Sequence, residues 1–430
     1  MPRNVMIFLI ILLLVTTAQA EPRHLTLKEA LALAAEQNYA VRQAQESRVG
    51  LDGRYVEERA AALPQLTASA GIGLSRDASQ EVFGAGARQQ SESAEISLTQ
   101  PLFTWGKIGA GIRAAKVAQQ SGDQRIRSAR QGAHRDVTVA FVDLLLAVEL
   151  QRLAAENLLQ KERHQQEAER RYALGVATDY DLLAATVATE NARPETIRSA
   201  NRVRTGQQRL AYLLALPEEV IAEGELAVAV AEPITFAEAL QVAVANRPEL
   251  ADLRLRQQVQ REISRIYGAE NKPRLDLRGG AGWQTLELDN AAGDQWSGSA
   301  WNAGVYLTWP FFDGLRTSGK VAQAQSDLRG LAINERALLD AIALEVRTAR
   351  NAMAEAGAIV TALQGTVGQA ERLLRMAEQG FEYGVKTRLD VDDAQLNLLQ
   401  AQTSLAQGER DYRAAEANFH WAMGKATKEP

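Results

Sequence analysis

The stretch from Ile342 to Phe381 limits what this chain can become more than any other. Ile342, Val346, Ala349, Met353, Ala356, Val360, Leu363, Val367, Ala370, Leu374, Ala377 and Phe381 fall at alternating steps of four and three, the seam of a coiled coil. No proline interrupts it. The helical pattern starts near Arg316, so the element has about 65 residues and a length on the order of 100 Å at 1.5 Å per residue. No globular core holds a helix of that length. Tyr383-Gly384-Val385-Lys386-Thr387-Arg388-Leu389-Asp390 then breaks it, and a second apolar-periodic helix returns through Leu396, Leu399 and Leu405. The pattern predicts a very long helical hairpin with a defined tip.

The hairpin is written twice. Subtracting 209 carries Gly384 to Gly175, Thr387 to Thr178, Asp390 to Asp181, Pro310 to Pro101, Phe312 to Phe103, Pro273 to Pro64 and Leu240 to Leu31. A register held from Leu27 to Tyr212 without net insertion predicts a duplicated unit. Each copy opens on a capping-box pattern, Thr26 with Glu29 and Thr235 with Glu238. The first helix is expected to run to about residue 62, where Pro64 stops it. After Pro101-Leu102-Phe103 the first copy is helical again, with Val137, Ala140, Leu144, Ala147, Ala154, Leu158 and Ala168 on its seam. At its tip Gly175 suits a left-handed C-cap, and Thr178 or Asp179 can cap the helix that follows.

Between the helices the period changes to two. Leu66, Ala68, Ala70, Ile72 and Leu74 alternate with Thr67, Ser69, Gly71, Gly73 and Ser75; Ala94, Ile96 and Leu98 alternate with Ser93, Glu95, Ser97 and Thr99. In the second copy Leu275, Leu277, Ala281 and Trp283 alternate with Asp276, Arg278 and Gln284, and Ala303, Val305, Leu307 and Trp309 with Asn302, Tyr306 and Thr308. Strands of about ten residues can cross a bilayer in a tilted barrel, with the apolar set on lipid and the polar set on a wet lumen. Alternation alone also fits an ordinary soluble hairpin. Five of the six Trp (Trp105, Trp283, Trp296, Trp301, Trp309) lie in or beside these segments, with Phe103, Phe311 and Phe312 near them. Such residues favour membrane interfaces.

Arg3, the apolar run Val5 to Val15, and Ala18-Gln19-Ala20 read as a signal peptide cleaved before Glu21. No later apolar run reaches about 18 residues, so the exported chain would enter a membrane only as strands. It has no cysteine, hence no disulfide, no thiolate metal site and no lipidated N-terminal cysteine. A net charge of −5 with no polybasic run argues against nucleic acid as a partner.

The expected organisation is a signal peptide at 1–20; a first repeat at 21–215, with strands at about 65–76 and 92–100 and a tip near 174–181; a connector at 216–233; a second repeat at 234–424, with strands at about 274–285 and 300–309 and a tip near 383–390; and a tail at 425–430. The connector holds one candidate strand, Leu226 to Val230. The fold class is mainly α with a membrane β-barrel portion. Four strands cannot close a barrel, and an open edge in hydrocarbon leaves unpaired backbone groups costing several kcal/mol each. The chain is therefore expected to oligomerise, two or three copies supplying eight or twelve strands.

These features resemble the TolC-like outer-membrane efflux proteins over essentially the whole chain after the signal peptide. The resemblance is carried by the helix-strand-strand-helix-helix repeat, by Gln100-Pro101-Leu102-Phe103 and Trp309-Pro310-Phe311-Phe312-Asp313-Gly314, and by Tyr172-Ala173-Leu174-Gly175 and Phe381-Glu382-Tyr383-Gly384 at the tips. It implies a homotrimer with a twelve-stranded barrel in the outer membrane and a twelve-helix periplasmic tunnel. Its expected role is exit duct of a tripartite efflux or type I secretion system, joined to a periplasmic adaptor and an inner-membrane pump of RND or ABC type. Two other functions compete with it, a stand-alone porin and an exported coiled-coil scaffold without a barrel.

The resemblance also assigns residues. Gly175, Thr178, Gly384 and Thr387 would shape the tips that dock the adaptor. Asp390 and Asp393, three apart on one helical face, would ring the closed periplasmic entrance, where symmetry copies raise one another's pKa values and attract cations. Alternatively they are solvated acids at a helix start, favoured by the helix dipole. In relatives a tip aspartate, matched by Asp181, links to a tyrosine, and an arginine follows the glycine by two residues; here Phe381 and Lys386 replace them. No enzyme chemistry is expected and no cofactor. Gly314-Leu315-Arg316-Thr317-Ser318-Gly319-Lys320 nearly spells a phosphate loop, but Val321 stands where Ser or Thr must reach Mg²⁺. Gly109-Ala110-Gly111 lacks a βαβ setting. His24, His134, His164 and His420 show no ligand spacing.

Overall fold

The computed structural model describes residues 23–76, 88–288 and 295–425. The expected signal peptide at 1–20, residues 77–87 and 289–294, and all but the first residue of the expected 425–430 tail lie outside them. The order is β1 (Arg23–Thr26), α1 (Leu27–Gln37), α2 (Tyr39–Ala60), β2 (Gln65–Arg76), β3 (Arg88–Phe103), α3 (Lys107–Ala173), α4 (Asp179–Leu213), β4 (Val220–Glu223), α5 (Phe236–Asn246), α6 (Pro248–Gly268), β5 (Arg274–Leu288), β6 (Gln295–Thr308), α7 (Arg316–Glu382) and α8 (Arg388–Ala422). The chain is mostly helical with some strands. Helices α3 and α7 each have 67 residues, and α4 and α8 each have 35.

The expected single first helix is two. Asn38 leaves the helical region at φ −55°, ψ 133°. Its amide Nδ2 donates to the Leu213 carbonyl at 2.8 Å and its Oδ1 accepts from the Ala40 N–H at 2.9 Å. A distant carbonyl thus joins a local cap, Asn being a favoured residue just before a helix start, in placing this break. Four helices begin on the same reciprocal cap, at Thr26 with Glu29, Thr178 with Asp181, Thr235 with Glu238 and Thr387 with Asp390. In each, the hydroxyl accepts an otherwise unpaired N–H of the first turn, and the acid accepts the threonine N–H.

Two compact units form, each drawn from both halves of the sequence: residues 45–126 with 248–338, and 1–44 with 127–247 and 339–430. The first unit holds a four-stranded antiparallel sheet in the order β2-β3-β5-β6. Its strands have 12, 16, 15 and 14 residues, longer than the alternating cores alone suggest, because backbone pairing continues past them. The register carries Leu66 across Leu98 and Gly279 to Ala303, and Ala68 across Ile96 and Ala281 to Trp301. Thr67, Ser97, Gly280 and Asn302 form a row between them. Directly opposed residues share a face, so one face of the sheet is apolar and the other polar. The strand-to-helix passages that follow β3 and β6 each need two left-handed residues in succession: Trp105 and Gly106 at φ 51° and 77°, Gly314 and Leu315 at 64° and 68°. Each pair includes one glycine, in opposite order.

The second unit contains both hairpin tips. The seam lies where the 4-3 pattern put it: Ile342, Val346, Met353, Ala356, Val360, Ala370 and Ala377 are buried, as are Val137, Ala140, Leu144, Ala147 and Ala154. Its largest apolar cluster gathers Leu25, Ala30, Ala34, Phe141, Leu145, Leu210, Leu214, Val220 and Leu226. The connector's strand is not Leu226 to Val230. It is β4, paired parallel to β1 from Arg23–Val220 to Thr26–Glu223. The carbonyls of Glu225, Leu226 and Ala227 instead accept from the Arg413 guanidinium at 3.1, 3.0 and 2.7 Å, which leaves this segment no ladder to join.

Candidate functional site

The two tips are built alike from the backbone outward. Gly384 adopts φ 72°, its N–H donates to the Phe381 carbonyl at 3.0 Å, and the Val385 N–H donates to Gly380 at 2.8 Å. Gly175 adopts φ 73°, with Gly175 to Tyr172 at 2.9 Å and Val176 to Arg171 at 3.0 Å. This is the paired bond pattern that ends a helix through a left-handed residue. A Cβ added at either glycine would meet nothing within 4 Å, so only the backbone conformation selects glycine there.

Three residues further on, the next helix begins. Thr387 N–H and hydroxyl donate to Asp390 Oδ2 at 2.8 and 2.7 Å, while Lys386 Nζ lies 3.2 Å from Asp390 Oδ1. Bonds from the Thr387 backbone, then its hydroxyl, then Lys386 hold the Asp390 carboxyl down to about 2. Asp181 is lowered in the same way by Thr178. Within the chain, then, Asp390 is pulled in the opposite direction from the mutual raising expected of a ring. Asp393 is exposed. Asp392, between them, pairs with Lys161 at 3.3 Å and with Arg388 at 3.5 Å.

Phe381 packs against Ala377, Val391 and Ala394, and the guanidinium carbons of Arg171 and Arg388 each lie 5.9 Å from its ring centre. The first tip is wired differently. Tyr172, which aligns with Phe381, has its phenol pKa raised by the Asp179 carboxylate. Asp179 aligns with Arg388. A phenol influenced by a carboxylate in one tip thus corresponds to a cation over an aromatic face in the other. Further in, His164 Nε2 lies 3.3 Å from the Gln395 amide. Burial, then Arg388, pushes the His164 pKa down, with Asp392 opposing and Lys161 assisting. Lys161 and Arg171 carry no signal in the sequence, and His164, Tyr172 and Asp179 stand there only as a packing histidine, part of a tip motif and a candidate cap. The swaps Tyr172 to Phe381 and Asp179 to Arg388 were readable in the 209-residue register, but which side chains they meet was not.

The sheet supplies a second candidate surface. Leu66, Ile72, Leu74, Ile96, Trp301, Val305 and Leu307 on its apolar face are exposed, Leu74 and Trp301 at 81% each. Trp309, Phe311 and Phe312 are exposed just beyond β6. On the polar face Asp276 is wholly buried between Arg274 and Arg278, at 2.8 and 3.3 Å. Among the described residues no helix is long and apolar enough to cross a membrane, and no three metal-type side chains gather.

Comparison with known proteins agrees with this geometry. The family model described as outer membrane efflux protein matches residues 30–216 and again residues 239–425. The alkaline protease secretion protein AprF of Pseudomonas aeruginosa is 26% identical over 375 residues, covering 85% of this chain and 77% of that one. The cobalt-zinc-cadmium resistance protein CzcC of Cupriavidus metallidurans is 27% identical over 384 residues, covering 88% and 84%. Among solved structures, the Campylobacter jejuni CmeC outer membrane channel superposes with a TM-score of 0.79 at 16% identity, covering 94% of this chain and 87% of that one.

Proposed function

We propose a function from one premise: this chain belongs to the outer membrane efflux protein family. It is an outer-membrane exit duct for an efflux or secretion system of a Gram-negative-type cell, extending into the periplasm. It conducts passively, and none of its side chains is asked to do chemistry.

In the finer reading the duct is a homotrimer of tandem-repeat chains. One observation carries this: the sheet exposes an apolar face while both of its edge strands, β2 and β6, have a neighbour on one side only. The strands have 12, 16, 15 and 14 residues, more than the about 9–11 that a tilted crossing of the hydrocarbon takes. Unpaired edges there would cost several kcal/mol per group. Three copies supply twelve strands and remove them. The 209-residue offset between the two family matches supports the repeat.

The tips Gly175–Thr178 and Gly384–Thr387 dock a periplasmic adaptor, which joins the duct to an inner-membrane pump of RND or ABC type. Asp390 and Asp393, with Asp181, Lys386 and Phe381 beside them, form the periplasmic gate. Sedimentation of the mature protein in detergent, followed by planar-bilayer recording, tests the reading. A heat-sensitive trimer that conducts is expected. A detergent-free soluble monomer would overturn it in favour of the coiled-coil scaffold.

A further inference from the structure

In the unit that carries the sheet, helices α2, α3, α6 and α7 stand side by side and enclose a concave basin of about 790 Å³. Three of the four helices each place one arginine on it: Arg54 from α2, Arg125 from α3 and Arg256 from α6. Against them α7 sets a single carboxylate, Asp327, whose Oδ2 accepts from Gln260 at 3.3 Å. Arg125 leans on Asp252 at 3.4 Å, and Asp252 is already held by the Ser121 hydroxyl. Arg54 and Arg256 are exposed, and among the described residues neither has a hydrogen-bond or ion-pair partner.

Packing does not call for this. In the 209-residue register Arg54, Arg125 and Arg256 correspond to Ile263, Asn334 and Ser47, so the other copy of each helix occupies its place without an arginine. A chain of net charge −5 thus gathers three guanidinium groups on one concave surface and leaves two of them, Arg54 and Arg256, without a carboxylate partner among the described residues. A guanidinium is always charged and presents a planar fork that matches two oxygens of a carboxylate or phosphate. Several forks converging on one concave surface focus the field for multivalent anions.

We propose that this basin is a binding site for multivalent oxyanions, with Arg54 and Arg256 as the primary contacts and Arg125 in support. The placement of the site in the conducting path rests on the duct reading. Anionic solutes are thereby drawn to this level of the duct. Binding weakens with ionic strength, because exposed charges are screened over about 8 Å at 0.15 M salt.

The test titrates the detergent-solubilised mature protein calorimetrically with inorganic pyrophosphate and, separately, with citrate, then adds each anion to one side of a planar bilayer. Wild type is expected to bind pyrophosphate saturably and to show voltage-dependent block; citrate binding as well marks general oxyanion recognition, whereas pyrophosphate alone marks a phosphate site. The double variant Arg54→Gln with Arg256→Gln should need at least ten times more anion for either effect. Arg329→Gln, on α7 and outside the basin, should leave both unchanged. Asp327→Asn should bind several-fold more tightly, a gain that misfolding cannot mimic. Absence of saturable binding by wild type, or equal binding by the double variant, overturns the site. Binding without any conducting channel would instead overturn the duct reading and leave the anion site standing.

Discussion

Ala215 and Gly424 close their helices in the same left-handed conformation, at φ 53° and 70°, although only one of them is a glycine. The Leu216 N–H donates to Ala211 at 2.9 Å and the Lys425 N–H to His420 at 3.0 Å, so the two ends share one bond pattern. A non-glycine residue there carries about 1–2 kcal/mol of strain, partly offset because glycine loses about 0.5–1 kcal/mol more conformational entropy on folding. Ala215→Gly should therefore stabilise by about 0–1.5 kcal/mol. Gly424→Ala should cost more than about 1 kcal/mol, since its Cβ would also stand 2.8 Å from the Asn246 carbonyl carbon and 2.9 Å from the Arg247 nitrogen. Thermal midpoints in detergent check the order; a Gly424→Ala protein that melts with wild type would refute the strain.

At the tip, Gly384→Val should abolish adaptor binding and export while the trimer survives. Nothing crowds a side chain at this position, but a β-branched residue resists φ near 72°. The comparison is co-purification of the adaptor against trimer content on the same preparation. Full export by the variant would show that the tip backbone does not matter.

The gate prediction separates two aspartates. Both Asp390 oxygens are engaged, by Thr387 and by Lys386, whereas Asp393 is exposed. Periplasmic divalent cations should block wild-type channels, and Asp390→Asn with Asp393→Asn should abolish the block. Asp393→Asn alone should remove more of it than Asp390→Asn alone. An unchanged block in the double variant would make these residues helix-start acids only, and the reverse order would put the main cation contact at Asp390. Lys386→Ala should raise basal conductance only modestly, because an exposed pair is worth about 0–1 kcal/mol.

Acid should loosen the contact between α3 and α8. The His164 pKa is below its ordinary value, chiefly through burial and then Arg388. The neutral ring is therefore the one the folded chain prefers. Its contribution is present above the unfolded pKa of about 6.5 and is lost as pH falls through that value towards the folded one. Around the ring stand Lys161, Arg388, Asp392 and Gln395, and the two cations disfavour a third. Basal conductance should rise between pH 7 and pH 5, and His164→Gln should flatten the profile. An identical rise in the variant would assign the effect elsewhere.

Much of this molecule was written locally. The 4-3 seam from Ile342 to Phe381, the alternation from Leu66 to Leu74, and the threonine–acid caps depend on neighbours within one or two turns, or on the two-residue pleat. The left-handed glycines at 175 and 384 are likewise read from one position. Such features follow from backbone geometry, which repeats at fixed intervals along any chain. The tertiary structure alone decided which distant groups meet. Asn38 at its helix break meets the Leu213 carbonyl; β4 forms at Val220 rather than Leu226 because β1 is its partner; Lys161 and His164 reach Asp392 and Gln395 across 231 residues. The register from Leu66 to Ala303 and the unpaired arginines of the basin belong to the same class. Periodicity says which face a residue occupies, but the partner on that face is chosen by how the elements close on one another.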